Sequence, residues 1–320
     1  MSLIEQAAQR LEQLRKAGVE IPSSPAESPA QEPGDSEGPA TSASQPVALA
    51  DETRIPEAKN VQRDVGVPTS QEHLSRRVEV NPEVLDASYV IRPDAPRSQL
   101  ADEFRIIKRP LIDNAMGKGA APIKDGNLIM VTSALPGEGK TFTAVNLAMS
   151  IAMELDNTVM LVDADVARPN LLNMFGLPPA RGLLDVLVDE SVTIPQVLLR
   201  TNIEKLSILP SGTPHSRATE LLASEAMVRL LEEMAHRYSD RIIIFDSPPL
   251  LVTTEARALA SRMGQVVVVV KAESTTHADV KHALAAIDSC PVRLMLLNQL
   301  KSPVKDAYGY GYGYGYGYGK

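Results

Sequence analysis

Residues 128–148 read LIMVTSALPGEGKTFTAVNLA, and this stretch decides the fold class. It opens as an apolar run (Leu128, Ile129, Met130, Val131) and passes through Pro136, Gly137, Glu138 and Gly139. It then enters an apolar-periodic helix (Ala144, Val145, Leu147, Ala148, Ile151, Ala152) led by Lys140, Thr141 and Phe142. A buried strand, a glycine loop and a helix start make a phosphate cradle. The glycines let backbone N–H groups curve around a polyphosphate with no Cβ in the way. The helix N-terminus adds unpaired donors and a partial positive charge. Residues Pro136 to Phe142 are therefore expected at the nucleotide, with Lys140 reaching the β- and γ-phosphates and Thr141 holding Mg²⁺. Ala134 stands where G-x-x-x-x-G-K-[ST] has its first glycine.

Two further apolar runs end in acids. Thr158 to Val162 leads to Asp163-Ala164-Asp165, followed by Arg168 and Pro169. Carboxylates one residue apart on an extended chain point the same way. Ile242 to Phe245 leads to Asp246-Ser247-Pro248-Pro249, and Asp246 fits the acid of a Walker B strand beside Mg²⁺. Around these runs strand and helix alternate: strands at 128–133, 158–163, 206–209, 241–246, 265–271 and 292–298, and helices at 140–154, 218–237, 253–262 and 277–288. Continuous apolar strands between amphipathic helices imply a parallel α/β sheet covered on both faces, with ligands beyond the carboxyl ends of its strands.

Composition narrows the class. Of 320 residues 44% are hydrophobic but only 4% aromatic, with no Trp, so the core is aliphatic. A net charge of −8 argues against nucleic acid as the partner. The single cysteine, Cys290, excludes an internal disulfide and fits a reducing compartment, as a buried thiol rather than a nucleophile. No apolar run reaches membrane-span length, and no secretory signal is expected at the N-terminus.

Outside the alternating body, residues 1–19 read as a short amphipathic helix that docks on its own domain or on a partner. Residues 20–95, rich in Pro, Ser, Ala and Glu, read as a disordered linker, with some local order near Val78–Val84. A helical pattern starts at Ser98, and Pro110 is expected to kink or end it. On it Asp102, Arg105 and Lys108 lie three apart and can make charged contacts. The body is bounded as 96–305 and the tail as 306–320. In the tail Tyr308, Tyr310, Tyr312, Tyr314, Tyr316 and Tyr318 alternate with glycine. Period-two spacing puts the rings on one side of any extended stretch. Beside a nucleotide site, such a tail reads as a substrate that offers one hydroxyl after another.

These pieces together resemble the bacterial tyrosine kinases of exopolysaccharide synthesis, over roughly residues 98–320. The matching segments are SALPGEGKT (133–141), VMLVDADVARP (159–169), LPSG (209–212) with ATELLASE (218–225), IIIFDSPP (242–249) and the tyrosine tail. The form resembled is the kinase of exosortase-linked loci, which lacks a membrane-spanning half. The resemblance implies a MinD/ParA-like P-loop fold and Mg·ATP as phosphoryl donor, with Asp163, Asp165 and Asp246 as acidic site residues. It implies Asn298 at the adenine and Arg168 beside the nucleotide. It further implies ring-like homo-oligomers, each tail entering its neighbour's site. The oligomer motif E-x-x-R-x-x-R appears here as Asp102, Arg105 and Lys108, and Lys cannot reproduce a bidentate Arg contact. A membrane chain-length-determinant protein as activator, a tyrosine phosphatase, and a cytoplasmic place at the inner membrane through a partner complete the picture. Whether Asp163 is the proton acceptor or a metal ligand stays open. Two alternatives also stand: a MinD/ParA-type ATPase switch, disfavoured because Leu135 occupies its signature lysine position, and a nucleotide-sensing scaffold without kinase activity.

Overall fold

The apolar runs are the strands of one sheet. The computed structural model describes residues 75–119 and 121–300, all within the second of two units, 66–320. Its strands are β1 (Arg76–Val78), β2 (Leu128–Ser133), β3 (Thr158–Asp163), β4 (Leu199–Thr201), β5 (Leu206–Leu209), β6 (Arg241–Asp246), β7 (Gln265–Lys271) and β8 (Val292–Asn298). They lie in the order β1-β4-β5-β3-β6-β2-β7-β8, and every pairing is parallel except β4 with β5. The helices are α1 (Pro82–Ala87), α2 (Gln99–Ala115), α3 (Lys140–Ala152), α4 (Leu171–Met174), α5 (Leu183–Val188), α6 (Ile194–Val197), α7 (Ala218–Leu222), α8 (Glu225–Arg237), α9 (Thr254–Ala260) and α10 (His277–Ala286).

Alternation along the central strands explains the unbroken apolar reading. Leu128 and Met130 of β2, with Ile243 and Phe245 of β6, face a core closed by Met227, Leu231 and Met234 of α8 and by α9 and α10. Ile129 and Val131, with Ile242 and Ile244, face the opposite core, closed by Phe104, Leu111 and Ile112 of α2 and by α3. Both faces are buried, so no polar residue interrupts the run. Gln265, buried at the start of β7, donates to the carbonyls of Leu111 (3.0 Å) and Gly126 (2.7 Å) and accepts from Asn114 (2.9 Å). It thereby fixes α2 to the sheet. Cys290 is buried, its thiol directed at the carbonyls of Met263 and Val292, and burial raises its pKa.

Four expectations are corrected. The linker does not extend to residue 95, nor does the folded body begin at 96. Val80, Leu85, Val90 and Ile91 are buried in the α2/α3 core. The Val80 amide donates to Asn202 (2.9 Å) and the Ile91 amide to Asn146 of α3 (2.8 Å). Elements as short as β1 and α1 leave no periodicity to read. Second, of the kink or end expected at Pro110, the end does not occur; the helix runs on to Ala115. Pro110 and Ile106, whose carbonyl loses its partner there, are both exposed, so water can satisfy that group, while Leu111 and Ile112 anchor the next turn. Third, 218–237 is two helices: Ser224 caps α8 by accepting from the Met227 amide at 3.3 Å. Fourth, β4 makes the sheet mixed. The proposed helix 1–19, linker residues up to 74 and the tail 306–320 lie outside the described residues.

Candidate active site

β2 sits between β6 and β7, and the chain crosses from it over β6 to β3. Its carboxyl end is thus a switch point, where a doubly wound sheet opens a crevice. The loop that leaves it turns through two left-handed glycines, Gly137 (φ 80°) and Gly139 (φ 97°). At Gly139 the left-handed φ of 97° strains any side-chain-bearing residue, and a Cβ there would also displace the Asn298 side-chain amide. Gly139 is also the N-cap of α3, with no side-chain cap and no acidic residue in the first turn. The first N–H groups of that turn are left for an anion.

The loop is tied from outside. Asn298, at the end of β8, donates to the Glu138 carbonyl at 2.9 Å, and Gln299 donates to the Gly137 carbonyl at 3.2 Å. Glu138 turns inward: its carboxylate accepts from the Leu135 amide (2.8 Å) and from the Thr275 hydroxyl, and the side chain is buried. Its expected place among nucleotide contacts therefore reduces to its backbone N–H. The same holds for Phe142, whose ring packs edge-on against Phe104 of α2, centroids 6.4 Å apart. Arg168 has an exposed side chain, and its amide bonds Asp165 Oδ1 at 3.2 Å. Thr275 and Gln299 went unnoticed in the sequence, because nothing local to either residue points at a loop so distant in the chain.

The three acids are buried at the carboxyl ends of β3 and β6, and Lys140 reaches one of them. Its ammonium donates to Asp165 Oδ2 at 2.7 Å. Asp163 and Asp246 are register partners on β3 and β6, and Asp246 pairs in turn with Val131 of β2. Asp163 Oδ2 accepts from the Leu171 amide (3.3 Å), while its Oδ1 and both oxygens of Asp246 are buried without a hydrogen bond of full geometry. Burial, then the charges of Asp246 and Asp165, push Asp163 up to about 8 against the pull of the Leu171 amide. Burial raises Asp246 to about 6, against the opposing influence of Lys140 and the Thr141 hydroxyl. Three orphaned carboxylate oxygens under a left-handed glycine loop fit a divalent cation held through phosphate and water.

An AAA domain family model matches residues 126–301. Tyrosine-protein kinase YwqD of Bacillus subtilis is 31% identical over 222 residues, covering 69% of this chain and 90% of the relative. The succinoglycan biosynthesis transport protein ExoP of Rhizobium meliloti is 34% identical over 181 residues, covering 56% of this chain but only 22% of its own length. Among solved structures, the chimerical protein CapA2B2 superposes with TM-score 0.57 at 28% identity, over 72% of this chain and 96% of that one.

The chain belongs to the bacterial tyrosine kinases.

In this kinase the charged triplet on α2 does not form one face. Asp102 accepts from Arg97 and from Arg105, each at 2.9 Å, at the surface. Lys108 is 4% exposed, and its ammonium donates to the Ser150 carbonyl and pairs with Glu154 at 2.6 Å. An intermolecular role for Lys108 is therefore withdrawn, since helical advance turns it into the α2/α3 seam. The kinase's six tail tyrosines lie outside the described residues.

Proposed function

We propose that this kinase transfers the γ-phosphoryl group of ATP to its own C-terminal tyrosines, Tyr308 to Tyr318, one subunit's tail serving its neighbour's site in a ring-like homo-oligomer. The supporting observation is the convergence of Lys140, the left-handed glycine loop and three buried carboxylates on one sheet rim. Loop amides and Lys140 bind the phosphates; Thr141 and Asp246 would hold Mg²⁺, which would supply charge neutralisation, with Asp163 either a further ligand or the proton acceptor. Lys140 leaves Asp165 to do so. The tyrosine oxygen bonds to phosphorus as the bond to ADP breaks, and the phenol's proton passes to a carboxylate. Asp163 is the first candidate, and Asp165 is the acid that Lys140 frees. Asn298, already at the loop, borders the adenine side. Asp102 and Arg105 on α2 form part of the subunit contact.

The name of ExoP supports a role in exopolysaccharide synthesis or export. No described helix is long and apolar enough to cross a membrane. On the family resemblance, a chain-length-determinant protein is the membrane partner and activator, holding the kinase at the inner face, and a tyrosine phosphatase resets the tail. Incubation with Mg·ATP followed by mass spectrometry of the tail tests the reading. Phosphate is expected on residues 308–318 and absent from the Lys140→Met protein; an unlabelled tail in the native protein sinks the proposal.

A further inference from the structure

β8 is one of the two edge strands among the described residues, paired to β7 over Val292–Asn298. Its outer edge presents unpaired backbone N–H and C=O groups, a template for another strand. The two faces of β8 differ. Leu294 and Leu296 pack against the α2/α3 core. On the other face Met295 is 62% and Leu297 59% exposed, and Leu300 just beyond is 52% exposed. Natural edges usually carry charge or proline; here the exposed face carries one charge at its start, Arg293 paired with Asp288, and is apolar at Met295 and Leu297, toward the loop. It also leads to the site, since Asn298 and Gln299 hold the carbonyls of Glu138 and Gly137 in the phosphate loop.

Residues 301–320 follow directly, and seven of them separate Leu300 from Tyr308. From Tyr308 to Tyr318 rings and glycines alternate. Laid as a strand, this sequence has rings on one face and no side chains on the other. Same-face residues recur about every 6.8 Å on both partners, so rings can fall beside Met295 and Leu297, where thioether–aromatic contact is favourable.

We propose that the outer edge of β8 is the docking strand for the Tyr-Gly tail of a second copy of this chain. This rests on the autokinase reading and adds how the acceptor is held. Backbone pairing supplies the binding, as in strand addition to an open edge. A two-residue Tyr-Gly repeat makes every two-residue slip equivalent, so the repeat leaves register unspecified. Each slip carries the next tyrosine toward the loop. A chain folded back on its own β8 would run away from the loop and leave its later tyrosines out of reach, whereas a second copy's tail enters from either end.

The test mixes two full-length proteins. The acceptor-site chain is active but has all six tail tyrosines replaced by serine. The tail donor carries the native tail and Lys140→Met. Phosphate incorporation is followed against donor concentration. Met295→Lys with Leu297→Lys in the active chain is expected to raise the KM for the donor at least ten-fold. ATP affinity and kcat stay unchanged, which also shows that the chain folds. Met295→Thr with Leu297→Thr, which suits a strand, gives a smaller rise in KM. Unchanged KM in both variants overturns the docking strand while leaving the kinase reading intact. A defect that appears only when the substitutions sit in the donor means docking on its own β8, and overturns it too. No labelling with native β8 takes down the kinase reading, and the docking strand falls with it.

Discussion

Asp163 holds its proton far more tightly in the folded chain than in the unfolded one, with the pKa moved from 3.8 to about 8. Its stabilising contribution is therefore fully present below the unfolded value and is lost as pH rises through about 8. Asp246, raised to about 6, acts in the same direction over a lower window. Without nucleotide and Mg²⁺, the melting temperature is expected to fall between pH 5 and 8.5. Asp163→Asn keeps the shape and removes the buried charge, so it should flatten that fall and stabilise the protein at pH 8 by about 1–3 kcal/mol while abolishing kinase activity. Parallel pH curves for both proteins in thermal melts would count against this electrostatic account. Glu138 is the other residue that behaves unlike its class. Its carboxylate joins the loop to the turn after β7 through Thr275. Glu138→Ala leaves the half-buried Leu135 amide and Thr275 hydroxyl without this partner, at a cost of roughly 0.5–1.5 kcal/mol for each. Nucleotide affinity is expected to drop about ten-fold. Thr275→Val should do less alone and nothing further on top of Glu138→Ala, in a calorimetric double-mutant cycle.

At the scale of elements, α2 carries two kinds of charge that sequence spacing cannot separate. Asp102, Arg97 and Arg105 form exposed pairs, which contribute little to stability. Lys108 lies in the α2/α3 seam, where desolvation lowers its pKa and Glu154 opposes that shift. Asp102→Arg is thus expected to change stability by no more than about 0.5 kcal/mol and to reduce oligomer size in sizing experiments. Lys108→Ala should cost about 2–3 kcal/mol through the fold itself. The reverse pattern would place the contact face elsewhere. The same contrast shows what was legible beforehand. The bounds of β2, β3, β5, β6 and β7 are legible because burial on two faces leaves uniform apolar runs, and those of β8 because its exposed face is itself largely apolar. β1, α1 and β4 were not, because three to six residues show no period and their anchors are Asn146 and Asn202, distant in the chain. The phosphate loop was legible because the chemistry of phosphate demands glycine, lysine and threonine in sequence. The ties that hold it, Thr275, Asn298 and Gln299, come together only through the strand order.

At the scale of the whole molecule, charge sets what phosphorylation does to assembly. The chain starts at −8. Each phosphotyrosine adds roughly −1.5 to −2, so six would add roughly −9 to −12 and at least double the net charge. That charge is concentrated in eleven residues that must approach a site already holding three carboxylates and a triphosphate. A labelled tail is therefore repelled from the place where it was labelled, and an oligomer held by tail-in-site contacts loosens as it fills. The repulsion acts between exposed groups, which salt screens within about 8–10 Å at ordinary ionic strength. At low salt the phosphorylated protein is expected to run as smaller species than the phosphatase-treated protein, and the difference should shrink as salt is raised. Phosphatase treatment of the small species should restore the large one without new protein. If both samples keep the same mass at low salt, tail charge does not govern assembly, and the proposed contact on α2 is what would hold the proposed ring.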